Sequence, residues 1–183
     1  MKKTYIIVGI IVLALLYTLS VYNGLVTANV GVDGQWAQVE AQYQRRLDLI
    51  PNLVESVKGV FKQEQSIFTA LAEARAHYAN ATGVNAKAQA AGEVEGALSR
   101  LLAIVENYPE LKSSENVTTL MAQLEGTENR VSIERKRFND AVQTYNLRTK
   151  RFPSSVVASL FGFNERTYFE AAPGAENTPQ VQF

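Results

Sequence analysis

From Thr4 to Val32 the chain carries no charged side chain, a run of 29 residues. Its densest part, Tyr5 to Leu19, is nearly all Ile, Val, Leu and Ala. A bilayer's hydrocarbon core is about 30 Å thick, and a helix crosses it in about 20 apolar residues. Tyr5 to Val26 meets that length. Tyr5 stands at one end of the run, and Tyr17 and Tyr22 stand toward the other, where amphipathic rings favour the headgroup level. A cleaved signal peptide competes, with Val26-Thr27-Ala28 as a poor cleavage site, and so does a buried core helix. Length favours a retained anchor. Lys2 and Lys3 precede the run, and no Lys or Arg follows it until Arg45. The positive-inside bias therefore predicts a cytoplasmic N-terminus, with the bulk of the chain on the far side.

What can follow the anchor is limited by composition. Lys plus Arg and Asp plus Glu both number 18, so no global basic field is available for nucleic acid. The absence of Cys removes disulfides, thiolate metal sites and a Cys nucleophile. With one His and two Met, haem ligation or a multi-His metal site is not expected, and no cofactor is implied. No Ser-His-Asp set can be built on the single His77, and no Gly-rich phosphate loop is present. Glu73 precedes His77 by four, but the paired Glu-x-x-His motifs of carboxylate-bridged metal bundles are missing. His77 is read as a solvated or capping residue.

The remainder is helical in pattern. Gly31-Val32-Asp33-Gly34 can bend the chain or cap a new helix. Apolar residues then recur at spacings of three and four from Trp36 through Val39, Tyr43, Leu47, Ile50, Leu53, Val57, Val60, Phe61, Ile67 and Leu71 to Tyr78. This predicts one amphipathic helix of roughly 45 residues. Pro51 removes a hydrogen bond to the Leu47 carbonyl and predicts a mild kink. Residues 80–85 read as a turn. A second helix carries Ala90, Val94, Ala97, Leu98, Leu101, Leu102 and Val105 on one side and ends near Tyr108-Pro109. Ser113 or Ser114 can open the next helix, whose Val117, Leu124, Val131, Phe138, Tyr145 and Phe152 lie seven apart in coiled-coil fashion. Pro153 stops it. A short apolar helix, Val156 to Phe161, and an extended tail complete the chain. The fold class is therefore all-α, with an N-terminal transmembrane helix followed by an elongated three- to four-helix antiparallel bundle. Its parts are an anchor and junction (1–33), a long-helix bundle (34–153) and a short helix with tail (154–183).

A turn at 82–83 between antiparallel neighbours puts Tyr108 level with about residue 57 and Lys112 with about residue 53. The turn Tyr108 to Lys112 then lands beside Arg45-Arg46-Leu47-Asp48-Leu49-Ile50-Pro51-Asn52. The same counting sets Glu134 near Arg75, a candidate buried ion pair. It also leaves Trp36, Val39, Tyr43 and Leu47 without partners in their own chain, and it lets Tyr145 and Phe152 overshoot the first turn by roughly ten residues, ~15 Å. Val156 to Phe163 can fold back over that overhang. An uncovered stripe predicts a homo-oligomer. Trp36, Tyr43, Arg45, Arg46, Asp48, Pro51, Asn52, Tyr108, Pro109 and Lys112 are the candidate residues for helix register and subunit contact. A lipid-headgroup or partner patch at Arg45 and Arg46 is the functional alternative. A register-fixing polar network reaching Glu110, Lys112 or Glu115 is favoured over it. Glu125, Glu128, Arg130, Glu134, Arg135, Lys136 and Arg137 form a mixed run, read as a solvated face with intrahelical pairs in which Glu128 and Glu134 can face inward.

The chain resembles the LemA family. The resemblance is carried by Arg45-Arg46-Leu47-Asp48-Leu49-Ile50-Pro51-Asn52-Leu53-Val54, by Glu106-Asn107-Tyr108-Pro109-Glu110-Leu111-Lys112 and by Thr127-Glu128-Asn129-Arg130. Arg137-Phe138-Asn139-Asp140-Ala141-Val142, Phe161-Gly162-Phe163, Tyr168-Phe169 and the terminal Pro179, Val181 and Phe183 extend it. The resemblance implies a bacterial cytoplasmic-membrane protein with one transmembrane helix and a helical bundle, the bundle here expected on the periplasmic side. The family includes a magnetosome-membrane protein and members encoded beside membrane metalloproteases. It carries no established enzymatic activity and hence no catalytic residue. The expectation is a non-enzymatic, self-associating membrane scaffold in contact with lipids. The alternative is a sensor or adaptor that binds a ligand or a membrane protease partner.

Overall fold

A computed structural model describes residues 2–60 and 65–170. The described residues are helical with no strand. Six helices follow in order: α1 (Lys2–Lys58), α2 (Gln65–Asn80), α3 (Val84–Glu106), α4 (Pro109–Lys112), α5 (Glu115–Lys150) and α6 (Ser154–Leu160). They form two compact units. One joins Met1–Ala37 to Lys136–Tyr168, and the other joins Gln38–Arg135 to the chain from Phe169. The long helices α1 and α5 each contribute to both.

Two helix breaks differ from expectation. Gly31-Val32-Asp33-Gly34 does not interrupt α1, which runs on through it. Two helical glycines cost roughly 2 kcal/mol against alanine. Burial of Val32 and Leu25, each 1% exposed, keeps the segment helical. The opposite error lies further on. The pattern from Trp36 to Tyr78 is two helices, not one, because α1 ends at Lys58 and α2 starts at Gln65. Val60 N–H donates to the Val57 carbonyl in the turn that opens beyond α1, with Gly59 between them. Phe61 and Glu64 lie outside the described residues, as does the tail with Pro179, Val181 and Phe183.

In the second unit α2 returns antiparallel along α1. Tyr78 rests on Tyr43 with ring centroids 5.3 Å apart. Nearer the turn, Ile50, Pro51 and Val54 face Phe68, Leu71 and Arg75 across a shared cleft. Helix α3 folds back on α2, where His77 meets Glu93 at 2.9 Å. Helix α3 is therefore parallel to α1, not antiparallel as counted from a single turn. The Tyr43–Glu95 offset of 52 still sets Tyr108 level with about residue 56. Helix α5 completes an up-down-up-down four-helix bundle. Val39, Tyr43, Leu47, Ile50, Leu53 and Val57 of α1 fill its centre with Leu98, Leu101, Val105, Val117, Leu124 and Val131.

The stripe expected to lack partners is thus covered by the chain's own helices. Val39 is 0% exposed and Tyr43 1%. In the first unit Trp36 packs edge-on against Phe138 at 5.3 Å. Tyr145 is buried and donates to the Asn164 carbonyl at 2.9 Å. Phe152 alone of its heptad series lies outside, because α5 ends at Lys150. The segment after α5 does fold back: Val157 and Ala158 close over Leu25, flanked by Val21, Tyr22 and Phe163. Gly162 takes φ 74°, which L side chains resist, and reverses the chain so that Phe163 N–H reaches the Ala158 carbonyl at 2.9 Å.

The apolar window of α1 is 0% buried in the chain, which excludes a core helix. Ile6, Ile7, Ile10, Leu13, Leu16 and Leu19 are all more than half exposed. Such a surface is stable against hydrocarbon, and the helix is long and apolar enough to cross a membrane once.

Candidate functional site: a charge network inside the bundle

The most demanding chemistry in the chain sits in the seam of α1, α3 and α5. Arg46 lies three residues after Tyr43, so both point into the seam from one face of α1. Arg46 is 6% exposed. On α5, Glu128 and Arg135 are seven residues apart and share a face. Arg46 forms an ion pair with Glu128. Arg135 forms one with Glu95 of α3 and also donates to the Tyr43 hydroxyl. That hydroxyl donates in turn to Glu95 at 3.1 Å, which closes a three-membered ring of hydrogen bonds. The Arg135 guanidinium is stacked over Phe169 at 4.7 Å and Tyr43 at 5.2 Å.

Burial dominates the electrostatics. It pulls the Arg46 guanidinium below its ordinary value, partly offset by the Glu95 charge. It pushes the Glu95 carboxyl up, with Arg46 opposing. It lowers Arg135 to about 10, still charged at neutral pH. Two guanidiniums and two carboxylates balance, so no net charge is buried. The Nε atoms of Arg46 and Arg135 are enclosed without hydrogen-bond partners. Beside the network, burial and Glu40 raise the Tyr78 hydroxyl well above the usual phenol range, and Lys87 stands over its ring at 4.4 Å.

The residues singled out in the sequence separate here. Arg45 and Arg46 differ in burial, Arg46 being enclosed and Arg45 exposed. Arg45 is exposed and lines a cleft of about 230 Å³ with Leu49, Gln123, Gly126, Thr127 and Arg130. Asp48 accepts from Gln44 at 2.8 Å on the exposed side of α1. Asn52 is exposed and its carbonyl caps Ser56 Oγ at 2.8 Å. Pro51 sits within α1, and Arg75 lies across the neighbouring cleft from it with its Nε enclosed. Glu134 is half-buried on α5, one residue before Arg135. Tyr108 is half-buried at the start of α4, Pro109 opens that helix and Lys112 ends it.

Glu95 is not singled out by the sequence, and Arg135 belongs to the charged run read there as a solvated face. A signal was present: Glu128 and Arg135 each follow an apolar heptad residue, Leu124 and Val131, by four positions. Both therefore flank the buried stripe.

This arrangement ties α1, α3 and α5 to one another. Both carboxylates in it face a guanidinium. Among the described residues no group of three or more His, Asp or Glu is placed to hold a metal ion.

The chain is similar in sequence to known proteins. The chain is 28% identical to magnetosome protein MamQ 2 of Paramagnetospirillum magneticum, and 28% identical to MamQ 1 of the same organism. It is 29% identical to MamQ of Magnetospirillum gryphiswaldense. Each alignment covers 87% of this chain and 70% of the relative. The family model for LemA matches residues 35–183, everything from the base of the bundle onward, and the chain belongs to the LemA family.

Proposed function

We propose that the protein is a non-enzymatic membrane scaffold, which displays a charge-locked helical bundle at the membrane and assembles with further copies of itself. The observation that carries the reading is helix α1. Its exposed apolar segment and its packed residues belong to one unbroken helix. The polar chemistry inside the bundle serves shape, since its charges are spent on one another. The MamQ relatives are magnetosome proteins, which suits a scaffold. Self-association no longer rests on an uncovered stripe in the bundle. It rests on the exposed span, which copies can share within one membrane. Light scattering in mild detergent, with crosslinking in native membranes, tests this: discrete oligomers are expected, and a monodisperse monomer in both settings overturns it.

A second reading, a sensor or adaptor, is favoured by the cleft where Arg45 and Arg130 flank Gly126. Two guanidiniums across a small cleft suit one anionic group. Calorimetric titration with inorganic phosphate, repeated on Arg45→Ala with Arg130→Ala, decides it. Saturable heat that the double variant loses supports the sensor, and no heat removes it.

A further inference from the structure

Helix α6 has an inner and an outer face. Val157 and Ala158 point inward onto Leu25. Val156 and Leu160, four apart and therefore on one face, are 52% and 76% exposed. Phe161 is 53% exposed, and Phe152, just before the helix, is 83% exposed. Four large apolar side chains within ten residues leave on the order of 500 Å² of apolar surface open, at the upper limit for a soluble monomer.

The location of this surface identifies what covers it. Phe161 and Phe163 both contact the Tyr22 ring edge-on, with centroids 5.0 and 5.6 Å away. Tyr22 lies three residues, about 4.5 Å along the axis, beyond Leu19, where the densest apolar run ends. The headgroup region on each side of a bilayer is about 5–7 Å thick. The outer face of α6 is therefore continuous with the span and stands at headgroup depth. Its polar flank fits the same depth: Arg151 is exposed, and Lys150 pairs with Glu165 at 2.8 Å.

We propose that α6 with Phe152 is a second membrane contact, a collar whose outer face lies in the lipid interface beside the span. Val156, Leu160 and Phe161 enter the acyl boundary, while Lys150 and Arg151 stay among the phosphates. The anchor is then held at two points and cannot turn freely about its own axis. This rests on the span crossing the membrane, so the test reports the two separately.

The chain has no cysteine, which permits single-site nitroxide labelling of the full-length protein. Leu160→Cys replaces an exposed side chain and leaves the inner face intact. Ile11→Cys marks the span. Lys136→Cys, exposed on α5, lies twelve residues from Arg148 and hence about 18 Å along the axis from the Gly24 level. The three labelled proteins are placed in phosphatidylethanolamine–phosphatidylglycerol vesicles. Power-saturation spectroscopy then compares access by oxygen, which partitions into lipid, with access by a water-soluble nickel chelate. The Leu160 label is expected to favour oxygen several-fold relative to the Lys136 label, and to sit shallower than the Ile11 label. A Leu160 label as open to nickel as the Lys136 label overturns the collar. A Leu160 label closed to both reagents also overturns it, because protein then covers the face. An Ile11 label open to nickel overturns the span itself.

Discussion

Removing Glu95 is the sharpest probe of the charge network, because that one carboxylate serves three groups. It pairs with Arg135, accepts from the Tyr43 hydroxyl and attracts Arg46. In Glu95→Ala the Arg135 charge stays three-quarters enclosed and the buried Tyr43 hydroxyl loses its acceptor. Breaking a buried pair from one side costs about 3–5 kcal/mol. Residual exposure of both partners takes the expectation to the lower end, about 3 kcal/mol. Glu128→Ala makes the internal comparison. Glu128 is 46% exposed, so water can take its place beside Arg46, and Glu95 still attracts that guanidinium. About 1 kcal/mol is expected, near the value for exposed pairs. At about 2–4 °C per kcal/mol for a chain of this size, midpoints fall by about 6–12 °C and 2–4 °C respectively. Thermal and urea unfolding of the full chain in mild detergent, followed by circular dichroism, measures both. If the two variants lose equally, or if Glu128→Ala loses more, then Glu95 is not the hub and the hydrogen-bond ring does not hold the bundle.

The remaining predictions are brief. Burial raises the Glu95 carboxyl in the folded state, so its contribution to stability is full below the unfolded value and is lost as pH rises through the folded one. Acidification from neutral toward the carboxylate range should therefore offset part of the acid loss in wild type, and urea midpoints of Glu95→Gln should fall more steeply over the same range. Arg46→Ala should cost about 2–3 kcal/mol through lost packing and a lost partner for Glu95, whereas Arg45→Ala on the exposed side should stay within about 0.5 kcal/mol; equal losses in urea titration would contradict the difference in burial. Gly31→Ala should stabilise by about 0.5–1 kcal/mol, because a Cβ there meets nothing within 4 Å and the helix is unbroken. A loss of stability would mean that α1 bends at that point.

The hairpin between α1 and α2 shows how a correct pattern can conceal a fold. Apolar spacing from Trp36 to Tyr78 is continuous, and both arms present it to one core. A reversal that keeps the heptad phase leaves no gap in the periodicity. Its only local marks are Gly59 and the polar residues after it, weaker than the Asn80-to-Asn85 turn that was recognised. Gly31 and Gly34 mislead in the other direction. Glycine weakens a helix by a known amount, and packing of Leu25 and Val32 outweighs it. Helices α3, α5 and α6 were legible because each carries its own periodicity and its own stop. Read as one helix, residues 36–78 leave Tyr43 and Leu47 without partners, whereas two helices let the chain bury both itself.

Register explains why charges are placed in the seam at all. Between α1 and α5 the apolar residues Val117, Leu124 and Val131 repeat every seven positions, so a slip of one heptad would keep the apolar face in place. The charges break that equivalence. Arg46 faces Glu128 in the observed register. A slip one way puts it opposite Arg135, a like charge, and a slip the other way puts it opposite Met121, which cannot neutralise it. Exchanging the two charges, Glu128→Arg together with Arg135→Glu, preserves composition, net charge and helix propensity. It sets Arg46 against a cation and Glu95 against an anion in the native register. A loss of about 3–5 kcal/mol in urea unfolding is expected, since two buried charges would then lack partners. Unchanged stability would show that apolar packing alone fixes how the helices meet, and that the buried charges have another purpose.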